Sequence, residues 1–203
     1  MPRTGERGGP QTRARILEVA NRLFLERGYE AVTVAEVARE AGVSSVTVFN
    51  HFARKEDLFL DRATDAADLL RVAVRDRAPD VDVLTSLQDL AFRLCDERAP
   101  LSGLSARAAP FFRTVAGSPA LIARARAIGA ELQTTLADEL FQDPNFEGDR
   151  VLLAAFFMAG YSAVLVETAR RRVEGEPDKA LAKDHRRRLE RLFTALREGF
   201  AAH

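Results

Sequence analysis

TVAEVAREAGVSSVTVFNHFARK, running from Thr33 to Lys55, reads as two short helices joined by a tight turn. Thr33 stands where an N-cap belongs, and Glu36 three residues on completes a capping box: the hydroxyl accepts from an early helix N–H while the carboxylate reaches back to the cap. Val34, Val37, Ala38 and Ala41 recur on one helical face, and Gly42 follows where a chain leaving a helix needs left-handed dihedrals. Val43 plugs the turn, Ser44 caps a second helix, and Val48 with Phe52 forms the i, i+4 apolar pair that anchors this helix to a core. Its other face carries Ser45, Val46, Thr47 and Asn50. Small polar side chains at the start of a short helix suit the major groove, where base edges present donors, acceptors and the thymine methyl. A DNA-binding helix-turn-helix is therefore the first expectation.

Working outward, Ile16, Leu17, Ala20, Leu23 and Phe24 form one stripe of a preceding helix, Gln11 to Arg27, which buries the backs of the next two and ends at Gly28. From Thr12 to Leu58, about a quarter of the chain, the sequence resembles the DNA-binding domain of the tetracycline-repressor (TetR) family. The likeness rests on elements in order: the apolar helix, Gly28-Tyr29, the Thr33 cap, Ala41-Gly42-Val43-Ser44, the aromatic cluster Phe49 to Phe52, and Lys55-Glu56. Ser45-Val46 departs from the Lys-Gly common in the family, so a phosphate-seeking cation is replaced by a hydroxyl and Val46 suits a thymine methyl. Phe49 and His51 stand where the family usually carries tyrosines; His51 can donate to a phosphate, whereas Phe49 cannot and reads as packing. Lys55 is a cation at a helix start, against the helix dipole. A nearby phosphate would explain it, and the resemblance implies the same. The expected DNA-contacting set is Thr33, Ser44, Ser45, Val46, Thr47, Asn50, His51 and Lys55.

The 203 residues, 47% hydrophobic and 30% charged, have the composition of a folded chain of one or two domains. A single cysteine, Cys95, fits a reducing compartment, and three scattered histidines offer no metal-ligand spacing. No glycine-rich phosphate loop and no paired nucleophile and base appears, so neither an enzyme nor a cofactor is expected. The longest apolar run, Leu152 to Val166, falls short of the roughly 20 residues of a spanning helix and is read as a buried helix. The N-terminus lacks the apolar stretch of a signal peptide, so residues 1–10 are read as a flexible arm and the address as cytoplasmic. Charge is uneven: residues 1–55 hold nine Arg/Lys against six Glu, a net +3 that leaves −3 for the remainder. This permits a nucleic-acid partner without requiring one.

A boundary is placed after residue 57, with 58–203 as a helical regulatory, ligand-binding and dimerisation domain. Periodicity predicts further helices at about 55–77, 83–98, 111–115, 119–141, 148–173 and from Pro177 to about Phe200. The fold class is all-α, with nine helices. Phe92, Cys95, Phe111, Phe112, Phe156, Phe157 and Tyr161 are candidate linings of an apolar pocket, with Arg93, Arg107, Arg113 and Glu167 as polar partners. Ala159, Gly160 and Ala163 allow close helix approach, and Leu181, Leu189, Leu192, Phe193, Leu196 and Phe200 form an apolar stripe; the two last helices are the expected dimer surface. One short helix reads few base pairs, so a two-fold dimer on a palindrome is expected. The combined expectation is a regulator, a repressor by the family's habits, that a small apolar molecule releases from its operator. The alternative is a helix-turn-helix protein controlled by a protein partner or by no ligand.

Overall fold

A computed structural model describes residues 9–105 and 108–199. Among these residues the chain forms nine α-helices and no strand: α1 (Gly9–Arg27), α2 (Val34–Glu40), α3 (Ser45–His51), α4 (Ala63–Arg75), α5 (Val83–Asp96), α6 (Ala108–Ala116), α7 (Pro119–Gln142), α8 (Arg150–Val173) and α9 (Asp178–Gly199). Of the expected arm, Gly9 and Pro10 are already helical, and residues 1–8 lie outside the described residues, as do Arg107 and Phe200. Contacts group the chain into two compact units: a head, residues 9–61 with 113–125, and a body, 62–112 with 126–199.

In the head, α1 turns Ile16, Ala20, Leu23 and Phe24 inward, where they are all but fully buried. They meet Val37 and Ala38 of α2 and Val48 of α3, the residues that the apolar spacing singles out. Phe24 is the centre of an aromatic cluster, 5.1 Å from the Tyr29 ring and edge-on to Phe59 at 5.8 Å. The expected single helix over 55–77 is interrupted. A 3-10 turn at Glu56–Leu58 precedes α4, because the neighbouring Leu58 and Phe59 are both drawn into the core against α1. Within the same unit the Ser118 hydroxyl donates to Glu30 Oε1 at 2.6 Å, and Arg124 Nε donates to Asp57 Oδ1 at 2.8 Å.

In the body, α5 and α8 both pack on α9, and α4 packs on α5. Leu87, Leu90 and Ala91 of α5, Leu153, Ala154 and Phe157 of α8, and Leu181, Leu189, Phe193 and Leu196 of α9 fill the core, with Leu136 and Leu140 of α7. Gly160 sets the distance between α8 and α9: a Cβ there would lie 2.2 Å from Leu192 Cδ1. Two buried carboxylates, Glu139 of α7 and Asp143 just past its end, face Arg75 of α4 and Arg77 just beyond that helix: Glu139 with Arg75 in a two-pronged pair and Asp143 with Arg77 at 2.5 Å. α8 is long and apolar enough to span a membrane by length and composition alone. In the body one side of it packs on α9, while Val151, Leu152, Phe156 and Val166 are exposed.

Candidate nucleic-acid interface

The turn between α2 and α3 is set by main-chain hydrogen bonds that its sequence permits. Gly42 takes φ +66°, its N–H donates to Arg39 O at 3.1 Å, and the Val43 N–H donates to Ala38 O at 2.9 Å. This is the Schellman pattern, in which a left-handed residue just past the helix end lets the next two amides satisfy the last carbonyls. A Cβ at residue 42 would also stand 2.8 Å from the Arg15 guanidinium, the mobile end of a flexible side chain.

Both helices of the motif are capped by the residues predicted to cap them. The Glu36 N–H donates to Thr33 Oγ1 at 3.2 Å and the Thr33 N–H donates to Glu36 Oε2 at 2.8 Å, closing the capping box. The main-chain and side-chain hydrogen bonds from Thr33 hold the Glu36 carboxyl below its ordinary pKa. Ser44 Oγ accepts from the Thr47 N–H at 3.0 Å and lies 2.9 Å from the Thr47 hydroxyl. Thr33, Ser44 and Thr47 are thus engaged in shaping the motif.

With Val48 and Phe52 turned into the core, α3 presents Val46, Phe49 and Asn50 outward, with Ser45 and Thr47 half-buried at the edges. Val46 is 69% exposed and Phe49 52%, so Phe49 is not the packing residue that the sequence suggested. Helical geometry explains it: residues three and four after Val46 share its face, and the anchors Val48 and Phe52 take the opposite one. That spacing was the signal to follow, rather than the ring's hydrophobicity. His51 is half-buried beside Phe52, with ring centroids 6.4 Å apart, and the Arg13 guanidinium lies 4.9 Å from the centroid of the same Phe52 ring.

Lys55 does not stand at the surface of the motif as expected. Its ammonium donates to Tyr29 O at 2.6 Å and lies 4.1 Å from the Tyr29 ring centroid and 5.7 Å from that of Phe24. Burial lowers its pKa, against the nearby carboxylates of Glu30, Glu56 and Glu36. A carbonyl and two aromatic faces satisfy the charge from within the head, so no phosphate is needed to account for it. Arg54 and Arg39 are exposed and take part in no ion pair among the described residues. With Arg15, likewise exposed and in no ion pair among the described residues, they can meet a polyanion.

The residues proposed for a pocket and a dimer surface separate. Phe92, Phe157 and Tyr161 join Phe193 in one aromatic cluster of the body: Phe157 stacks on Tyr161 at 5.9 Å and lies 6.0 Å from Phe193, which is 6.2 Å from Phe92. The Tyr161 hydroxyl donates to Leu101 O at 3.4 Å. Cys95 is buried, and burial raises its thiol pKa. Phe111 and Phe112 form a T-shaped pair at 5.4 Å, and the Phe112 ring crowds Gly103, 3.1 Å from where a Cβ would stand. Phe156, next to the buried Phe157 on α8, is 55% exposed. Leu189, Phe193 and Leu196 are buried within the body, leaving no surface to offer a second copy, and Leu192 covers Gly160. Ala159 and Ala163 are exposed, on the same stripe as Leu152, Phe156 and Val166.

Residues 16–61 match the model of bacterial regulatory proteins of the tetR family. The transcriptional repressor AcnR of Corynebacterium diphtheriae is 41% identical over 70 residues, 34% of this chain and 37% of AcnR. The chain thus spans about a third of that relative's length. Among solved structures the whole architecture resembles SmeT in complex with triclosan, with a TM-score of 0.62 and 18% identity over 91% of each chain. It also resembles NalD of Pseudomonas aeruginosa, the secondary repressor of the MexAB-OprM multidrug efflux pump, with a TM-score of 0.57 and 19% identity over 93% of this chain and 97% of that one. These two likenesses are of fold.

Proposed function

We propose that this chain, whose residues 16–61 match the model of bacterial regulatory proteins of the tetR family, is a DNA-binding regulator that acts in the cytoplasm as a repressor, grips a palindromic operator as a homodimer and lets go when a small, largely apolar molecule binds. The observation that carries the proposal is α3: a short helix, capped and anchored from behind, whose outward face makes no contact that the fold needs. In the proposal α3 enters the major groove, α2 crosses the backbone, and Ser45, Val46, Thr47 and Asn50 face base edges while Arg39, Arg54 and His51 meet phosphates.

Dimerisation is supported by the stripe Leu152, Phe156, Ala159, Ala163 and Val166, which is apolar, exposed and spaced 4, 3, 4, 3 along α8. This is the seam spacing of helices that pack along their length, with small residues where backbones approach. Ligand release is supported by the aromatic cluster of Phe92, Phe157, Tyr161 and Phe193 and the Phe111–Phe112 pair, and by the complex of the similarly folded SmeT with triclosan. A ligand that prefers a body conformation coupled to wrongly spaced heads weakens DNA binding by its differential affinity.

The test is selection of bound duplexes from fragmented genomic DNA by the purified full chain at about 150 mM salt, where purely electrostatic binding is weak. A recovered palindrome, bound by two chains and released by an apolar compound that also raises the melting temperature, is the expected result. A recovered operator that no small molecule affects moves control to a protein partner or to abundance alone.

A further inference from the structure

The outward face of α3 has a chemical bias toward A·T base pairs. A base-reading helix most often recognises guanine through an Arg or Lys that donates to O6 and N7. The sequence of α3, SVTVFNH, has neither. What it exposes is an apolar pair with a carboxamide beside it: on a helix of 3.6 residues per turn, Phe49 and Asn50 lie about 60° and 40° to either side of Val46. Asn50 matches the acceptor and donor of adenine at N7 and N6, and an apolar side chain matches the one apolar group in the major groove, the C5-methyl of thymine.

Exposure makes the apolar pair more than a composition effect. Val46 and Phe49 lie on the recognition face, while the same helix places Val48 and the following Phe52 in the core at 1% and 4% exposure. Four large apolar side chains within seven residues are thus divided two inward and two outward. The inward pair satisfies the packing of α3, and the outward pair has no intramolecular role that the structure shows. Hydroxyls flank it: Ser45 is half-buried, and Thr47 is tied to Ser44. A protein surface or a lipid face would call for a wider apolar patch. Here the rim is Asn50 and the exposed Arg54, which suit a polyanionic groove.

Resting on the reading of α3 as the DNA-reading helix, we infer that each operator half-site is centred on A·T pairs, with Asn50 on an adenine and with Val46 and Phe49 packed on the C5-methyl groups of two neighbouring thymines. Recognition by this helix then depends on the methyl group itself, and a base with thymine's hydrogen-bonding edge but no methyl is a weaker partner.

The experiment begins with selection of a preferred duplex from a random library by the full-length protein. Affinity is then titrated on that duplex with each thymine replaced in turn by deoxyuridine, which deletes the methyl and nothing else. Two positions per half-site are expected to lose about four-fold each, the worth of one buried carbon, with the other thymines indifferent. Val46→Ala and Phe49→Ala should each abolish the thymine-over-uracil preference at one of the two positions while retaining the parent's circular dichroism and melting temperature. Phe49→Tyr, which keeps the ring, should retain it. A selected palindrome indifferent to every thymine-to-uracil exchange, or one whose core is G·C, overturns the inference and leaves the regulator reading intact. Failure to select any sequence overturns both.

Discussion

Lys55 donates its ammonium to the carbonyl oxygen of Tyr29 at 2.6 Å, bridging 26 residues of the head, and sits over the ring of the same tyrosine. The contact ties the chain leaving α3 to the loop that follows α1. A half-buried charge held by a carbonyl and two rings belongs to the fold of the head rather than to its exposed surface.

Lys55→Ala is accordingly expected to destabilise the protein by about 1–2 kcal/mol, the worth of a charge-assisted hydrogen bond with a cation–π contact. The slope of log K against log salt for operator binding should be unchanged. Arg54→Ala is expected to do the reverse: no change in melting, but a salt slope reduced by about 1 in magnitude, as for one lost phosphate contact. Thermal melts and binding at three salt concentrations measure both. A flattened slope in the Lys55 variant would return that cation to the DNA.

How far the chain could be read from its residues follows the range of the forces involved. The head was legible because its features are local: Thr33 with Glu36, Ser44 with Thr47, and Gly42 with Val43 are each decided within four residues. The surroundings of Lys55 are not legible in the sequence because its partners, Tyr29 and Phe24, lie 26 and 31 positions away. In the body, α8 is apolar on more than one side, so periodicity could not tell Phe156 from Phe157 or assign the α9 stripe to core or surface. That choice is made by tertiary packing, where Gly160 meets Leu192 and leaves Leu189, Phe193 and Leu196 inside.

Gly42→Ala tests the turn. The left-handed φ of +66° penalises any side chain, and the new methyl must also displace the Arg15 guanidinium, the mobile end of a flexible side chain. A loss of about 1 kcal/mol is expected, with the strain as its main part. Pairing the change with Arg15→Ala should recover little of it. Full recovery would show that the clash, and not the backbone, requires glycine.

Acid should loosen the body in two stages. His185 is buried, and its Nδ1 lies 2.8 Å from Thr168 Oγ1, which donates its own proton to Val164 O; the ring nitrogen is therefore the donor. Burial, opposed in part by the neighbouring Asp184 carboxylate, lowers the imidazole pKa from 6.5 to about 4. A folded-state pKa below the unfolded one means that the unfolded chain takes up the proton first. Stability is then full above pH 6.5 and falls as pH drops toward 4, by roughly 3 kcal/mol. Asp184 titrates lower. Burial would raise its pKa, but hydrogen bonds from Arg188, Arg187 and Arg171 hold it at about 2, so its contribution is lost only as pH falls from 3.8 through that value. Urea unfolding from pH 7.5 to 4.5 should show the first stage, and His185→Leu should flatten it. An unchanged slope in that variant would mean that other groups govern it.

The dimer seam gives the sharpest test of the body. Phe156 is 55% exposed and stands in a row with Leu152, Ala159, Ala163 and Val166, so a charge at this position stays within reach of water in a lone chain. In the proposed dimer the same charge would be buried against apolar side chains without a partner, at a cost of several kcal/mol for each copy. Phe156→Glu is therefore expected to give a folded monomer by sedimentation with near-parental circular dichroism. Its affinity for a full palindrome should fall to that for an isolated half-site, because two heads no longer bind as one. Phe193→Glu, by contrast, places the charge inside the body at a residue 1% exposed and should unfold it. If Phe156→Glu sediments as the parent does, α8 is not the seam, and its exposed apolar row must be covered by something other than a second copy.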